Sequence, residues 1–499
     1  MITKFIKQLF APKKDKNSHT KHTTAAKSVK EDTRVPRKKL SLKTVSHKAN
    51  AYPVKKHGIN PKYIPEAAVM VTRTLTDAGF EAYVVGGAVR DLMQGLQPKD
   101  FDVATNAKPE QVVKLFRRAR IIGRRFRIVH VQHKRDLIEV TTFRSADLDD
   151  QEVDEHGRVL RDNVYGTLTD DAVRRDLSIN ALYYDVKHQT VLDFHGGVQD
   201  LADSMLRIIG DPVTRFREDP VRMLRVLRFM AKLDFSVDEY TEDAMESCKP
   251  LLGNIPQARL FDETLKFFTT GHAAASLDAL QDYDFTRYLM PVLHEVMQTE
   301  KGAAWVHRVL AQTDARVNED KSISPGFLFA ALMWPKIEER WQFFQSKGSP
   351  SIVALDQAIV EVVNQNNEQI TITKRFVADM REIWSLQPRL ERRLPRQAIG
   401  LVEHPRFRAA YDFLLLRAQL GHLGEEGLPL AQWWEDFHFA TPEMRDKTVA
   451  ILRSQPIKRG STLSGGGEQA KKRRRRRKSN SKKSKEDTMG TPQTHGESA

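Results

Sequence analysis

Two aspartates separated by one residue, Asp100 and Asp102 in the stretch KDFD, carry the most direct chemical reading in the chain. Side chains two apart on a β-strand share a face, so a strand through this stretch aims both carboxylates into one place. Two anions that close repel unless a proton or a cation sits between them, and Mg²⁺ takes carboxylate oxygen together with substrate phosphate. The pattern is a divalent-metal site in outline. Glu139, in LIEVTTF, adds a third carboxylate if its strand lies beside the first.

Further charged groups follow. Asp176 and Asn180, in TDDAVRRDLSINALYYD, are four apart and share a face if this stretch is a helix, beside Arg174 and Arg175. A salt-bridged surface helix is the plainer reading of the same residues. In EDPVRMLRVLRF, Asp219 before Pro220 is a helix N-cap signal, and Arg222, Arg225 and Arg228 recur at a three-residue step. A cap carboxylate beside a first-turn arginine offers one acceptor and one donor, which could read a base edge. A capped amphipathic helix also explains the pattern without function.

The elements that must position these groups are legible in part. Ala82 to Val85 reads as an apolar strand, followed by the glycine pair Gly86 and Gly87, a short helix opening at Ala88, and a strand carrying Asp100 and Asp102. A helix over Ile64 to Ala78 precedes them and stops at Gly79, and another is expected over Asn106 to Arg118. Strand signals at Arg127 to Gln132 and Asp136 to Phe143 form a hairpin around Lys134. Residues 145 to 163 read as an exposed acidic loop, without the glycine and closing glutamate of a calcium loop. From Tyr240 to about Leu452 only helical periodicity appears. The fold class expected is α+β, a small mixed β-sheet with helices followed by an all-α region, flanked by disordered basic tails.

Composition bounds the partners. With 499 residues, 40% hydrophobic and 29% charged, the chain can bury a large core in two to four domains. No apolar run approaches the roughly 20 residues needed to span a bilayer. The N-terminus lacks the pattern of a secretory signal. Cys248 is the single cysteine, which excludes an intrachain disulfide and a thiolate zinc cluster and fits a cytoplasmic setting. The net charge of +15 is concentrated at the ends: residues 1–57 carry +13, residues 458–499 carry +9, and the remainder is −7. A mildly acidic body with basic arms suits a polyanion-binding protein. The opening ITKFIKQLF could also make weak contact with a membrane surface, and the Arg/Lys run near the C-terminus could equally be read as a nuclear localisation signal.

The motifs GGAVRD, KDFDVATNAKPEQV, LIEVTTFR, RRDLSINALYY and EDPVRMLRVLRF occur in the order and spacing of class II nucleotidyltransferases, the family of bacterial poly(A) polymerases and CCA-adding tRNA nucleotidyltransferases. The resemblance covers residues 60 to about 270. IIGRRFRIVHV, VLRDNVYG, HPRFRAAYDFLLLRA and the basic C-terminal tail are more similar to the poly(A) polymerase branch. One departure is RRDLS at Leu177 and Ser178, where the family often has RRDFT.

The resemblance implies template-independent transfer of AMP from ATP to RNA 3′ ends, with release of pyrophosphate by a two-metal mechanism. Asp100 and Asp102 would hold two Mg²⁺ ions, with Glu139 or Asp176 as the third catalytic carboxylate. Gly86, Gly87, Arg90, Arg175 and Asn180 would face the nucleotide and its phosphates. Asp219 and Arg222 would read adenine, and Arg225 and Arg228 would lie near nucleotide or RNA phosphate. RNA-decay machinery is the partner class implied. A CCA-adding enzyme and a catalytically idle RNA-binding protein are the alternatives.

The organisation expected is a basic N-terminal segment (1–57), a catalytic head (58–205), a helical neck that binds nucleotide and RNA (206–270), an all-α RNA-binding body (271–455) and an Arg/Lys-rich tail (456–499). The tail neutralises phosphates and releases counterions whatever the RNA sequence. Deleting residues 458–499 should therefore weaken RNA binding and flatten its salt dependence in a filter-binding titration; an unchanged salt slope would contradict a phosphate-binding tail.

Overall fold

The computed structural model describes residues 48–123, 127–145, 152–153, 159–161 and 164–454. The readings made for residues 1–47 and 455–499, and for most of the acidic loop, fall outside these residues. The chain divides into two compact units, Met1–Pro388 and Arg389–Ala499. The sheet and the groups around it belong to the first.

The strands in chain order are β1 (Asn50–Pro53), β2 (Ala82–Val85), β3 (Asp102–Thr105), β4 (Ala119–Ile122), β5 (Ile128–His133), β6 (Asp136–Thr142), a small hairpin of β7 (Glu152–Val153) and β8 (Val159–Arg161), β9 (Leu182–Asp185), β10 (Thr190–Asp193), and a short parallel pair of β11 (Met205–Leu206) and β12 (Ser236–Val237). Eight of them form one sheet in the order β1-β10-β9-β2-β3-β6-β5-β4. Its pairings are antiparallel except β3 with β6, which run parallel.

Alternation along the strands sorts the side chains between two faces. Val84, Val103, Val129, Val131, Ile138, Val140 and Tyr184 pack on one face with Ala68, Val71 and Leu75 of α2 (Glu66–Asp77). The intervening residues Val85, Ala104 and Tyr183 turn to the other face, with Phe143 and Ala172. The helix α2 ends where expected: Gly79 takes φ 86°, and the Phe80 N–H donates to the Leu75 carbonyl at 3.0 Å.

Several local expectations are corrected. Asp100 precedes β3, which starts at Asp102, so only the second carboxylate stands on the strand, although exposed Asp100 and Asp102 still alternate with buried Phe101 and Val103. The helix expected over 106–118 is α4 (Pro109–Leu115), and the chain after it pairs as β4. Asn50–Pro53, placed in the basic tail by composition, is the edge strand β1, followed by the single-turn helix α1 (Val54–His57). The stretch 169–185 is not one helix. Helix α5 (Leu168–Arg174) stops, Ser178–Asn180 form one 3₁₀ turn, and β9 follows. The break is stabilised from outside: Ser178 N–H donates to the Arg207 carbonyl at 3.0 Å, and Ile209 N–H to the Asp176 carbonyl at 2.9 Å. Local periodicity could not show this long-range pairing.

Downstream are α6 (Gly197–Ala202), α7 (Pro212–Glu218), α8 (Val221–Leu233), α9 (Glu239–Cys248) and α10 (Gln257–Phe268), and only helices are found from there to Ser454. One of them, Pro325–Ser346, contains Pro335. Proline has no N–H, so the carbonyl four residues earlier, Ala331, loses its helical donor. The indole of Trp305 supplies one, donating to the Ala331 oxygen at 2.7 Å. Trp305→Phe should therefore cost about 1–3 kcal/mol of stability by leaving that carbonyl unsatisfied. The same change should cost less in a Pro335→Ala background, where an N–H returns. Urea denaturation of the four proteins checks this, and equal costs in both backgrounds would contradict it.

Candidate active site

The parallel register of β3 and β6 sets Asp102 opposite Glu139, and the antiparallel register of β5 and β6 sets His130 opposite Glu139. Their neighbours Val103, Val140 and Val129 are buried in the core below the sheet. Asp102, Glu139 and His130 therefore form a row across three strands on the other face. His130 Nε2 lies 3.1 Å from Glu139 Oε1, and its Nδ1 is buried without a partner among the described residues.

Asp102 opens to solvent at this row. The protein atoms packed around it still strip away enough hydration that its pKa is pushed up to about 6, with burial the largest cause, Glu139 and Asp100 adding to the rise, and Arg175 opposing it. Two carboxylates facing each other are a donor set that Arg175 compensates only in part, since the Asp102 pKa is still raised. Among the described residues, no group of three His, Cys, Asp or Glu side chains is gathered tightly enough to enclose an ion. A cation that keeps several waters and takes other oxygens from a phosphate needs only one or two carboxylates. Asp102 and Glu139, with Asp100 nearby, fit such a cation.

Next to the row, directly after Val85, the β2 partner of Asp102, lies the glycine turn between β2 and α3 (Gly87–Met93). Gly86 has φ 77° and ψ −136°, a backbone conformation open to glycine and strained for any other residue. Arg175, at the end of α5, approaches this turn: its Nη1 is 3.8 Å from where a Cβ on Gly86 would be. Its Nε donates to Tyr183 Oη at 2.9 Å and to Asp171 Oδ2 at 3.3 Å, and its Nη2 to Asp171 Oδ2 at 3.1 Å. Burial alone would lower the Arg175 pKa, but Tyr183 and Asp171 outweigh it, so the guanidinium is held protonated.

Arg90 lies at the glycine pair, its Nη2 3.4 Å from where a Cβ on Gly87 would be, and it also ties neighbouring elements together. Its side chain is buried, donates to Asn180 Oδ1 at 2.7 Å and to Asp91 Oδ1 at 2.8 Å, and packs 5.1 Å from the Phe229 ring centroid. Arg90 and Asn180 thus brace α3 and the 3₁₀ turn against α8.

Glu139 and Asp176, the two candidates for a third carboxylate, are in different surroundings. Glu139 stands beside Asp102, whereas Asp176 pairs with Arg225 Nη2 at 2.8 Å and accepts the Leu177 N–H at 2.8 Å. Burial works against ionisation of Asp176, but Arg225, that N–H and Arg222 prevail and hold it below the usual carboxylate range.

On the neck helices, Asp219 takes extended backbone angles at the end of α7, and its carboxylate reaches over Pro220, the residue at the cap position of α8, to accept the Val221 N–H at 3.3 Å. Its other oxygen accepts Arg259 Nη2, from α10, at 2.7 Å. Arg222 Nη1 donates to Glu218 Oε2 at 2.7 Å and to the Arg215 carbonyl at 2.8 Å. Arg215 in turn donates to the Arg174 and Arg175 carbonyls at 2.7 and 2.8 Å, tying α7 to the end of α5. Arg228 lies 4.9 Å from the Phe229 ring centroid, and burial, then Arg225, lowers its pKa. The Nε atoms of Arg225 and Arg228 are buried without hydrogen-bond partners among the described residues.

Sequence reasoning missed His130, Asp171, Tyr183, Arg215, Glu218 and Arg259. Glu218 and Arg215 adjoin the cap signal and could have been included with it. Nothing local marks Arg259 or His130, which reach the site only through helix packing and strand register.

Three family models match the chain: the poly A polymerase head domain at residues 82–207, the probable RNA- and SrmB-binding site of polymerase A at 234–297, and the polymerase A arginine-rich C-terminus at 347–480. Poly(A) polymerase I of Salmonella typhi is 42% identical over 418 residues, 82% of this chain and 90% of that protein. Its counterpart from Escherichia coli O6:H1 (strain CFT073) is 41% identical over 421 residues, 82% of this chain and 90% of that protein. A CCA-adding enzyme of Lactobacillus helveticus is 38% identical over 216 residues, 43% of this chain and 53% of that enzyme. Among solved structures, a tRNA-processing enzyme in an apo form superposes with a TM-score of 0.51 at 22% identity, over 77% of this chain and all of that one, a likeness of fold.

The raised pKa of Asp102 has a signed consequence. The folded protein binds this proton more tightly than the unfolded chain, so stability falls as pH rises from 3.8 through about 6 and the penalty persists above. Asp102→Asn should therefore melt higher than the parent in metal-free buffer at pH 7 to 8, with the gap closing as pH falls below about 6. Calorimetry across pH checks it; a lower melting temperature for the variant at neutral pH would contradict the repulsion.

Proposed function

The chain belongs to the poly(A) polymerase I family, and from that premise we propose that it extends RNA 3′ ends with AMP taken from ATP, without a template, releasing pyrophosphate. The observation that carries the adenylate reading is the extent of the match: poly(A) polymerase I aligns over 82% of the chain, the CCA-adding enzyme over 43%. In the reaction the RNA 3′-oxygen forms a bond to the α-phosphorus of ATP, the bond from that phosphorus to the bridging oxygen breaks, and pyrophosphate leaves.

Asp102 and Glu139, with Asp100, would hold Mg²⁺, which when bound supplies positive charge to the triphosphate and lowers the pKa of the attacking hydroxyl. Asp102 must be ionised for this, so protons compete with Mg²⁺, and at limiting Mg²⁺ activity should decline as pH drops below about 6, the decline moving to lower pH as Mg²⁺ is raised. His130 fixes one Glu139 oxygen and so orients the carboxylate facing Asp102. Gly86 lets the backbone come close to phosphate, and Arg175 Nη1 offers a fixed cation beside it. Arg90 and Asn180 keep the turn and the neck helix in register.

Asp219 and Arg222 would read adenine through its amino group and ring nitrogen, the carboxylate accepting and the guanidinium donating. Arg259 and Glu218 hold those two groups when no base is present. Arg225 and Arg228 extend the positive surface toward nucleotide or RNA phosphate, and Asp176 holds Arg225 in place. A cytoplasmic setting and RNA-decay partners remain part of this reading. Among the described residues, no helix is long and apolar enough to cross a membrane.

Purified protein given a generic RNA and one nucleoside triphosphate at a time should build long tails with ATP alone, and Asp102→Ala should abolish the tails while RNA binding persists. Ordered addition of C, C and A to tRNA only would contradict the proposal. The absence of any extension by the unmutated protein with Mg²⁺ would favour an RNA-binding module.

A further inference from the structure

We propose that Asp171 is a positioning residue for ATP: together with Tyr183 it holds Arg175 so that one guanidinium nitrogen, Nη1, faces the glycine turn. The inference rests on the assignment of Arg175 to the triphosphate made above.

Four hydrogen bonds and one cation–ring contact define the cradle. Asp171 Oδ2 accepts Tyr183 Oη at 2.7 Å and also accepts two nitrogens of Arg175. Tyr183 Oη in turn accepts Arg175 Nε, and the Arg175 guanidinium lies 5.0 Å from the Tyr183 ring centroid. Asp171 is 8% exposed and Tyr183 fully buried, so neither side chain has solvent to exchange for these bonds. Nη1 is the Arg175 nitrogen with no hydrogen-bond partner among the described residues, and it lies beside Gly86 and within the electrostatic field of Asp102.

A helix-capping role does not account for Asp171. The start of α5 is capped by Thr167 and Asp170: Thr167 Oγ1 accepts the Asp170 N–H, and Asp170 Oδ2 accepts the Thr167 N–H at 2.8 Å. Asp171 sits one residue further on, and its second oxygen accepts the Arg144 N–H at 3.4 Å, which joins the end of β6 to the cradle. Arg175 has left the helix, with ψ 165°, which frees its long side chain from the helical surface. An arginine in that position has several rotamers within reach, and a two-point contact to a buried carboxylate selects one.

The experiment is a double-mutant cycle on the full-length protein with Mg²⁺, measuring kcat and KM for ATP at saturating RNA. Arg175→Ala should raise KM for ATP strongly. Asp171→Asn should raise it by roughly tenfold, the value of a charge-assisted contact, with a smaller change in kcat. The combination should match Arg175→Ala alone, because a residue that acts only through Arg175 has nothing left to position. Should Asp171→Asn fail to fold, Tyr183→Phe deletes one hydroxyl and carries the same cycle. Effects that multiply in the double variant, or an unchanged KM in both Asp171→Asn and Tyr183→Phe, would overturn the positioning role while leaving Arg175 as a triphosphate contact. An unchanged KM in Arg175→Ala would overturn the assignment of Arg175 itself.

Discussion

The parallel pairing of β3 with β6 forces Asp102 and Glu139 to face each other, and the rest of the site is arranged around that repulsion. The register cannot slip by one residue without turning Val103 and Val140 out of the core and both carboxylates into it. Burial of those two valines therefore fixes the distance between two like charges. The pair is locally unfavourable: burial first and Glu139 second push the pKa of Asp102 up, and under the proposed function the counter-charge would arrive with the substrate.

Around this acidic row the arginines are held by acids of their own. Asp171 holds Arg175, Asp176 holds Arg225, Glu218 holds Arg215 and Arg222, and Asp219 holds Arg259. A cluster of cations at this density would repel and spread without those partners. Each pairing fixes a direction and leaves some donors uncommitted, such as Nη1 of Arg175. Under the proposed function a nucleotide would be met by groups already oriented, so less ordering would be needed on binding.

How much of this could be read from the chain depended on range. The strand and glycine turn at 82–87 were legible because apolar residues and Gly86 sit side by side, and the start of α8 because Asp-Pro is a local signal. Glu139 was legible as a strand residue, but its place opposite Asp102 required the register. Asp100 reads as part of the strand, whereas β3 begins two residues later and Asp100 stands just before it. The stretch 169–185 was misread because Asp176 and Ser178 satisfy their backbones with residues 207–209, far along the chain. His130 and Arg259 carry no local mark at all. Chemistry written in adjacent residues could be read, and chemistry assembled by strand register and helix packing could not.

The central claim, that the fold holds Asp102 and Glu139 as a partly compensated pair awaiting a cation, is tested most directly by ¹³C-carboxyl NMR of Asp102. Its signal is assigned by its absence in the Asp102→Asn spectrum and followed through a pH titration with and without Mg²⁺. The account predicts a midpoint of about 6 in metal-free protein and a downward shift when Mg²⁺ is added. A midpoint at the ordinary aspartate value of about 4, unmoved by Mg²⁺, would contradict it.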